Sequence, residues 1–165
     1  ASFFDNCGRG ASIGAAGGAV VRTVFNQCWF SSASVDHGFM AFTAFGGVVD
    51  GLSLTNCDLY LNAANGFTAY SSGVRHIDLL ACRAAGNGQS GIAMGVGPRS
   101  PVSDWSITSS FAGAGCGLPG NAAYGVFVAA GAANYTVGLN RQRGNGLGAT
   151  AGINFANPTV LGNQT

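Results

Sequence analysis

Lysine and glutamate are both absent from this chain of 165 residues, and its seven arginines and six aspartates leave a net charge of only +1. No stretch is basic enough to form a surface that binds nucleic acid. No apolar run reaches the roughly 18 to 20 residues that a membrane-spanning helix needs, and the first residues lack the pattern of a secretory signal peptide. Eleven phenylalanines and a mean hydropathy of +0.29 exclude an intrinsically disordered chain. We therefore predict one folded domain over residues 1–165, with no nucleic-acid partner and no membrane span.

Glycine and alanine are abundant instead, with 28 and 26 residues. A six-residue pattern occurs six times, at intervals of 21, 29, 25, 28 and 30 residues; its copies are residues 2–7, 23–28, 52–57, 77–82, 105–110 and 135–140. Its third position is always apolar and holds Phe4, Phe25, Leu54, Leu79, Ile107 and Val137. Its sixth position holds Cys7, Cys28, Cys57, Cys82, Ser110 and Asn140. A recurring unit of this length is typical of a solenoid.

A second pattern follows the first, in which a glycine precedes alternating apolar residues. Its copies are residues 38–41, 66–69, 91–94, 125–128 and 152–155, with Gly10 and Ile13 as an incomplete first copy. The apolar period of two predicts two or three short strands in each unit, and no segment has a helical period. Because such units cannot bury their own apolar face, they must stack. The sequence predicts an all-β fold, a parallel β-helix (β-solenoid) of about six coils, with projecting loops near residues 95–101 and 113–120.

The segment Leu52–Cys57, followed by Asn65, Gly66 and Phe67, resembles the coils of the pectate-lyase-like superfamily, which includes phage tailspikes and tail fibres. The resemblance covers nearly the whole chain and implies a right-handed parallel β-helix. The superfamily contains lyases, hydrolases and epimerases, as well as non-enzymatic adhesins and virion proteins. The resemblance therefore implies the geometry of a coil and no particular reaction.

The cysteines of the first pattern are predicted to form a buried column of free thiols. Residues in one column of a parallel sheet lie about 4.8 Å apart, which exceeds the roughly 3.5 to 4.5 Å between the β-carbons of a disulfide. Cys116 lies alone in a glycine-rich segment, and we expect it to be the only exposed thiol. Without a Cys-x-x-Cys motif, and with only two histidines, the chain is predicted to bind no metal.

Two short motifs are discounted on structural grounds. Residues Gly86–Gly91 match a dinucleotide-binding fingerprint, but a strand follows them instead of a helix, so no cofactor is predicted. The adjacent pair Asp36 and His37 is discounted as a catalytic pair, because neighbouring residues of a strand point to opposite faces.

One outward face is predicted to carry five ionisable residues within three neighbouring coils: Asp50, Arg75, His76, Asp78 and Asp104. If Asp78 and Asp104 both point outward, their carboxyl groups lie about 8 Å apart, which suits the acid and the base of an inverting glycosidase. Arg75 would bind a substrate carboxylate or lower a neighbouring pKa, and His76 completes this candidate catalytic set. The alternative is that these charges pair across neighbouring coils and only fix the register.

A second outward face follows the cysteine column, and its candidate ligand-binding residues are Trp29, Asp58, Tyr60, Arg83 and Arg141. Aromatic rings beside charged groups suit sugar recognition, because they combine a flat apolar platform with directional hydrogen bonds. An exposed aromatic strip also suits an oligomer interface. A third, more apolar strip is predicted to contact a subunit or a neighbouring domain; it holds Met40, Phe42, Thr68, Tyr70 and Phe127.

Neither terminal coil has a covering helix in the sequence, so we expect a module of a larger assembly or a chain covered by partner subunits. These features favour a virion or tailspike-like adhesin that binds a surface polysaccharide, forms a trimer and works at the virion surface or elsewhere outside the cell. One alternative is a polysaccharide hydrolase or lyase that uses Asp78, Asp104, Arg75 and His76. Another is a structural virion protein without a ligand.

Overall fold

The computed structural model describes residues 2–95, 102–130, 132–138 and 140–151, together with the backbone of strand residues 158–161. The described residues form seventeen strands in three sheets, and they form no helix. Sheet 1 consists of β1 (Phe3–Phe4), β4 (Trp29–Ser31), β7 (Asp58–Tyr60), β10 (Arg83–Ala85) and β13 (Phe111–Ala112). Sheet 2 consists of β2 (Ala11–Ala16), β5 (Phe39–Ala44), β8 (Phe67–Tyr70), β11 (Ile92–Met94), β14 (Tyr124–Val128) and β16 (Gly148–Ala151). Sheet 3 consists of β3 (Ala19–Asn26), β6 (Val48–Thr55), β9 (Val74–Leu80), β12 (Ser103–Thr108), β15 (Ala133–Gly138) and β17 (Pro158–Leu161).

Each turn of the chain contributes one strand to each sheet in succession, and all of the described strand pairs are parallel. The all-β parallel β-helix is therefore confirmed. Within the described part of the chain, five turns have all three strands, slightly fewer than the six coils expected. The strands β16 and β17 belong to a sixth turn, which follows these five. Right-handedness stays a prediction from the resemblance.

The core lies between the three sheets and consists of apolar columns that cross the turns. In sheet 3 one column joins Phe25, Leu54, Leu79, Ile107 and Val137 in register. In sheet 2 another joins Phe39, Phe67, Ile92 and Val126. Except for the partly buried Phe25, these side chains are fully buried. Stacking thus buries the apolar face that one coil cannot bury alone.

The first copy of the six-residue pattern was assigned to the wrong sheet. Phe4 belongs to sheet 1, where it pairs with Phe30, and it does not continue the apolar column of sheet 3. The shorter interval of 21 residues to the next copy reflects this difference. At the other end, Ala149 stands beside Gly125, where the second pattern had placed Gly152. Gly152 itself lies outside the described residues.

A row of left-handed residues interrupts the strands of sheet 3. Positive φ angles of 53°, 79°, 50°, 55° and 50° occur at Arg22, Gly51, His76, Asp104 and Asn134. The ladder pairs Asp50 with Arg75 and then Leu52 with Ile77. One residue in each strand, Gly51 in β6 and His76 in β9, is therefore left out of the pairing. Both strands skip one residue at this point, so the register is kept while the alternation of buried and outward residues shifts by one position. The sequence predicted an uninterrupted alternation and therefore missed this shift.

Two buried columns of side chains lie at the two ends of the sheet 1 strands. The thiol corner, between sheets 3 and 1, holds Cys28, Cys57, Cys82, Ser110 and Asn140. The amide corner, between sheets 1 and 2, holds Asn62, Asn87, Asn121 and Asn145. Successive amides of this corner are joined by side-chain hydrogen bonds of 2.9, 2.7 and 2.9 Å. The amide corner was not predicted, although three of its asparagines stand four residues before a glycine of the second pattern.

All five cysteines are free, which confirms the prediction of thiols without disulfides. Cys28, Cys57 and Cys82 are buried in one column, as expected. Cys7 is not part of this column, because its carbonyl pairs with Ser34 N–H at the amide corner. Cys7 is also exposed, so the expectation that Cys116 is the only exposed thiol was wrong.

Candidate functional site

A groove of about 490 Å³ lies on the outer face of sheet 1. Its lining consists of Asp5, Trp29, Ser31, Ser32, Asp58, Tyr60, Leu61, Arg83, Cys116 and Leu118. Trp29, Asp58 and Arg83 form one column, because their three strands pair in register. Tyr60 follows Asp58 by two positions and therefore faces the same side of the sheet. The structure thus brings together four of the five ligand-binding candidates from the sequence.

An ion pair of Asp58 and Arg83 forms the centre of the groove. Arg83 donates from Nε to Asp58 Oδ1 at 2.6 Å and from Nη2 to Asp58 Oδ2 at 2.7 Å. The Asp58 side chain is 12% exposed, whereas that of Arg83 is 50% exposed. A bidentate pair holds the guanidinium plane in one orientation. The remaining N–H groups of Arg83 are therefore held in place for a ligand.

Aromatic rings form the apolar part of the groove. Trp29 is 39% exposed, and its ring contacts Phe3 and Tyr60 at centroid distances of 6.0 and 5.9 Å. Tyr60 is buried, and its hydroxyl forms no hydrogen bond of normal geometry with any described residue. Burial, followed by the charge of Asp58, raises the Tyr60 pKa. The phenol therefore stays protonated and uncharged beside the ion pair.

Asp5 adds a second carboxylate to the groove. It accepts a hydrogen bond from the Ser31 hydroxyl. Hydrogen bonds from the hydroxyls of Ser31 and Ser32 lower the Asp5 pKa, so this carboxyl group is ionised at neutral pH. Asp5 was not predicted as a site residue, because residues 2–7 were expected to continue the column that the structure places in sheet 3. With β1 paired to β4 in sheet 1, Asp5 stands beside Ser31.

One wall of the groove comes from the glycine-rich segment near residues 113–120. Within it, Gly115 and Leu118 exchange backbone hydrogen bonds of 3.1 and 2.9 Å, which closes a tight turn. The carbonyl of Pro119 accepts a hydrogen bond of 2.9 Å from Gly86 N–H of the preceding turn. The segment was predicted to be a projecting loop, and it instead contacts the neighbouring turn.

The fifth candidate, Arg141, continues the same column but does not line the groove. It pairs with Phe111, which in turn pairs with Arg83. Arg141 is therefore two turns, or about 10 Å, from Arg83 along the column.

The outward face of sheet 3 holds a different cluster, with Asp50 at its centre. Arg75 Nε donates to Asp50 Oδ2 at 2.9 Å, and His76 Nδ1 lies 2.6 Å from Asp50 Oδ1. These hydrogen bonds, with His76 the larger cause, lower the Asp50 pKa. Both partner side chains are exposed. The geometry is that of charges pairing across neighbouring coils, which was the alternative for this face.

Asp78 and Asp104 lie on the same sheet but in different settings. Asp78 accepts a hydrogen bond of 2.7 Å from Ser106. Asp104 accepts hydrogen bonds of 2.9 Å from Ser103 and 3.2 Å from Asn134. Asp104 also occupies the left-handed row, so its side chain does not follow the regular pleat that the 8 Å estimate assumed. No hydrogen bond or ion pair connects either carboxylate to Arg75 or His76 within the described residues.

Asp36 and His37 were expected to be neighbours in a strand, and this expectation was wrong. Both residues precede β5 and lie outside the strands, where neighbouring side chains need not diverge. His37 Nε2 lies 3.3 Å from Asp36 Oδ1, and His37 Nδ1 accepts a hydrogen bond of 3.1 Å from Asn65 N–H. Burial lowers the His37 pKa, against the opposing charge of Asp36. Because both ring nitrogens have partners, we interpret this pair as structural.

The apolar strip on sheet 2 is partly assembled. Phe42 and Tyr70 stack with ring centroids 5.9 Å apart, and both are half-buried. Met40 aligns with Thr68, which is buried, and Phe127 aligns with Ala93. Contact of this strip with a subunit stays a prediction.

The described residues include no group of three or more His, Cys, Asp or Glu side chains arranged to hold a metal ion. They also include no helix with the length and apolar character to cross a membrane.

Comparison with known proteins supports the architecture. No protein-family model and no curated protein matches the chain. Among solved structures, the crystal structure of the periplasmic alginate epimerase AlgG is similar, with a TM-score of 0.57 and 13% sequence identity. This chain has the parallel β-helix fold. The superposition covers 97% of this chain and 43% of the epimerase, so the chain spans less than half of that protein's length. At this identity the likeness concerns the fold.

Proposed function

We propose that this chain is a polysaccharide-binding β-helix module that uses the groove on sheet 1. One observation carries the proposal: the partly exposed Trp29 ring stands beside a bidentate ion pair of Asp58 and Arg83 in a groove of about 490 Å³. A sugar ring presents C–H groups to an aromatic face and hydroxyl groups to charged donors and acceptors. Polysaccharide binding is also in keeping with the fold, which this chain shares with an epimerase named for alginate.

Affinity electrophoresis in gels that contain a polysaccharide tests this proposal. We expect one or more polymers from a panel of neutral, acidic and amino polysaccharides to retard the protein. Trp29→Ala should weaken binding at least about tenfold, because aromatic anchors dominate such contacts. Trp29→Phe should retain part of the binding, since it keeps a ring.

Phe45→Ala provides the matched control, because Phe45 is 88% exposed and does not line the groove. This variant should bind like the unchanged protein. Absence of retardation by every polymer, or equal loss in Trp29→Ala and Phe45→Ala, would refute the proposal.

The setting that we propose for this module is extracellular, as a trimeric adhesin of a virion or tailspike. The half-buried rings of the sheet 2 strip, Phe42, Tyr70 and Phe127, and the resemblance support this form of the proposal. Light scattering under non-denaturing conditions, with and without reductant, tests it. We expect the mass of a trimer that does not depend on reductant, because the described thiols are free. A monomer would contradict the oligomeric part while leaving the groove to be tested separately.

A second candidate is a carbohydrate-active enzyme that works on the face of sheet 3. The observation in its favour is that Asp78 and Asp104 lie on the same outward face as the Asp50 cluster, in a fold shared with a polysaccharide epimerase. Incubation with the same polymers, followed by assays for reducing ends, unsaturated sugars and epimerised residues, tests it. Asp78→Ala or Asp104→Ala should abolish turnover and retain the circular dichroism spectrum. If the unchanged protein modifies no polymer, this candidate is rejected.

A further inference from the structure

The charges at the groove bear on the class of polysaccharide that it binds. Its lining holds two carboxylates, Asp5 and Asp58, and one guanidinium, Arg83. Asp5 is ionised at neutral pH, because hydroxyl groups of Ser31 and Ser32 lower its pKa. The groove thus has a net formal charge of −1. An acidic sugar would be repelled by this excess charge, while an uncharged sugar would not.

The guanidinium of Arg83 is already engaged by a carboxylate. Its Nε and Nη2 both bond to Asp58, which is mostly buried. A sugar carboxylate would have to compete with Asp58 for this geometry, and displacing Asp58 would leave a buried charge without a partner. A sugar hydroxyl can instead accept from the free N–H groups of Arg83 and donate to a remaining lone pair of Asp58.

The other two features of the groove also favour an uncharged ligand. The face of an indole ring carries partial negative charge, which attracts C–H groups and repels carboxylates. Of the two aromatic rings that line the groove, Trp29 and Tyr60, Trp29 is the more exposed. The Tyr60 hydroxyl, which is buried and forms no hydrogen bond of normal geometry with any described residue, has a raised pKa, stays protonated and adds no negative charge to the groove.

We infer that the groove binds an uncharged polysaccharide in preference to a polyuronate. This inference rests on the proposed function. It separates the groove from the chemistry of the epimerase whose fold it shares, because alginate is a polymer of uronates.

The experiment compares galactomannan and a mixed-linkage β-glucan, both neutral, with alginate and polygalacturonate. The full chain is titrated with oligosaccharides of each polymer by calorimetry at 50 and 500 mM NaCl. We expect a neutral oligosaccharide to bind at least about tenfold more tightly than either uronate, with less than about a twofold change between the two salt concentrations. Trp29→Ala should reduce this binding at least about tenfold.

A charge variant sharpens the test. Asp5→Asn removes the excess negative charge and should narrow the preference for the neutral ligand over polygalacturonate. Asp36→Asn makes the same change in net charge away from the groove and should leave the preference as it is.

Three results would overturn the inference, and they differ in what they say of the proposed function. Tighter binding of a uronate that Trp29→Ala abolishes would overturn the inference and retain the function. Preferential binding of a chitosan oligosaccharide, titrated as a fifth ligand under the same conditions, would do the same and would assign a cationic ligand. Failure to bind any of these polymers would overturn both.

Discussion

The thiol corner and the amide corner share one backbone geometry and differ in chemistry. At each corner a left-handed residue precedes the buried one, with Asn56 (φ 52°) before Cys57 and Leu61 (φ 55°) before Asn62. At the amide corner, Asn87 Nδ2 donates to the Leu59 carbonyl of the preceding turn at 2.9 Å. At the thiol corner, the equivalent bond from Cys82 Sγ to the Leu54 carbonyl is 3.3 Å.

This difference shows that each corner needs a hydrogen-bond donor on the side chain of its buried residue. The chemical type of that donor sets the strength of the hydrogen bond to the carbonyl of the preceding turn. In the fifth and sixth turns the thiol corner changes to hydroxyl and amide, and Asn140 Nδ2 donates to the Ile107 carbonyl at 2.9 Å. A thiol is a weak donor, whereas an amide also accepts from a backbone N–H. Because sheet 1 is held between these two corners, they position the groove residues.

The largest contrast is expected in thiol reactivity. Cys7 and Cys116 are exposed and should react with a thiol reagent in the native protein, whereas Cys28, Cys57 and Cys82 should react more than about 100-fold more slowly. Reaction of Cys82 is further suppressed, because the neighbouring Cys57 thiol and burial both raise the pKa of Cys82. Absorbance of the released reagent counts the two classes. Five equally fast thiols would refute a buried thiol corner, and fewer than five after unfolding would indicate a disulfide.

The next largest effect is expected from Asn87→Ala at the amide corner. This change removes the acceptor of Asn62 N–H and the donor to the Leu59 carbonyl, and both are buried. Leaving two buried backbone groups unpaired should lower the free energy of unfolding by about 3–5 kcal/mol. Denaturant unfolding measures it, with Gln89→Ala on the exposed surface nearby as a control. A loss below that of the control would contradict the role assigned to this corner.

A smaller loss of about 1–2 kcal/mol is expected from Cys57→Ala at the thiol corner. The reason is that the thiol forms only long hydrogen bonds, of 3.5 Å to Phe25 O and 3.4 Å to Thr55 O. Cys57→Ser, which restores a stronger donor of similar size, should lose less than Cys57→Ala. If Cys57→Ala were as damaging as Asn87→Ala, the proposed contrast in bond strength would be wrong.

The smallest expected effect is the pH dependence of stability, which arises from carboxylates on the outer faces and not from the two corners. Neither corner column contains a carboxylate, whereas the pKa of Asp50 on sheet 3 is lowered by His76 and Arg75. A lowered pKa in the folded state stabilises the fold above the unfolded value of 3.8, and this contribution is lost as pH falls below it. Between pH 5 and pH 3, Asp50→Asn should therefore lose less stability than the unchanged protein.

Thermal unfolding at several pH values measures this difference. Because the Asp5 pKa is also lowered, Asp50→Asn should retain part of the acid dependence. Asn87→Ala should lose stability with acid as the unchanged protein does, since no corner group titrates there. An Asp50→Asn profile identical to that of the unchanged protein would show that this cluster contributes nothing to stability.

Much of the fold was predictable from repeated local patterns. The apolar third position of the pattern aligned five of its six members correctly, because side chains of equal size and polarity occupy one column when coils stack. The error at Phe4 arose because a pattern of apolar and polar letters does not distinguish the end of a sheet 1 strand from that of a sheet 3 strand. Trp29, Asp58 and Arg83 were predicted for the same reason, because each directly follows a cysteine of the pattern, and Tyr60 was added as the next outward position after Asp58.

The sequence by itself determined a stack of coils with two or three short strands each, the free thiols and the column that carries Trp29, Asp58 and Arg83, since these follow from periodicity. Only the tertiary structure decided which charges meet. The left-handed row in sheet 3 shifted Asp104 off the regular pleat, and the glycine-rich segment with Cys116 turned back to form a wall of the groove. Both depend on backbone conformations and contacts between turns, which residue spacing along one chain does not encode.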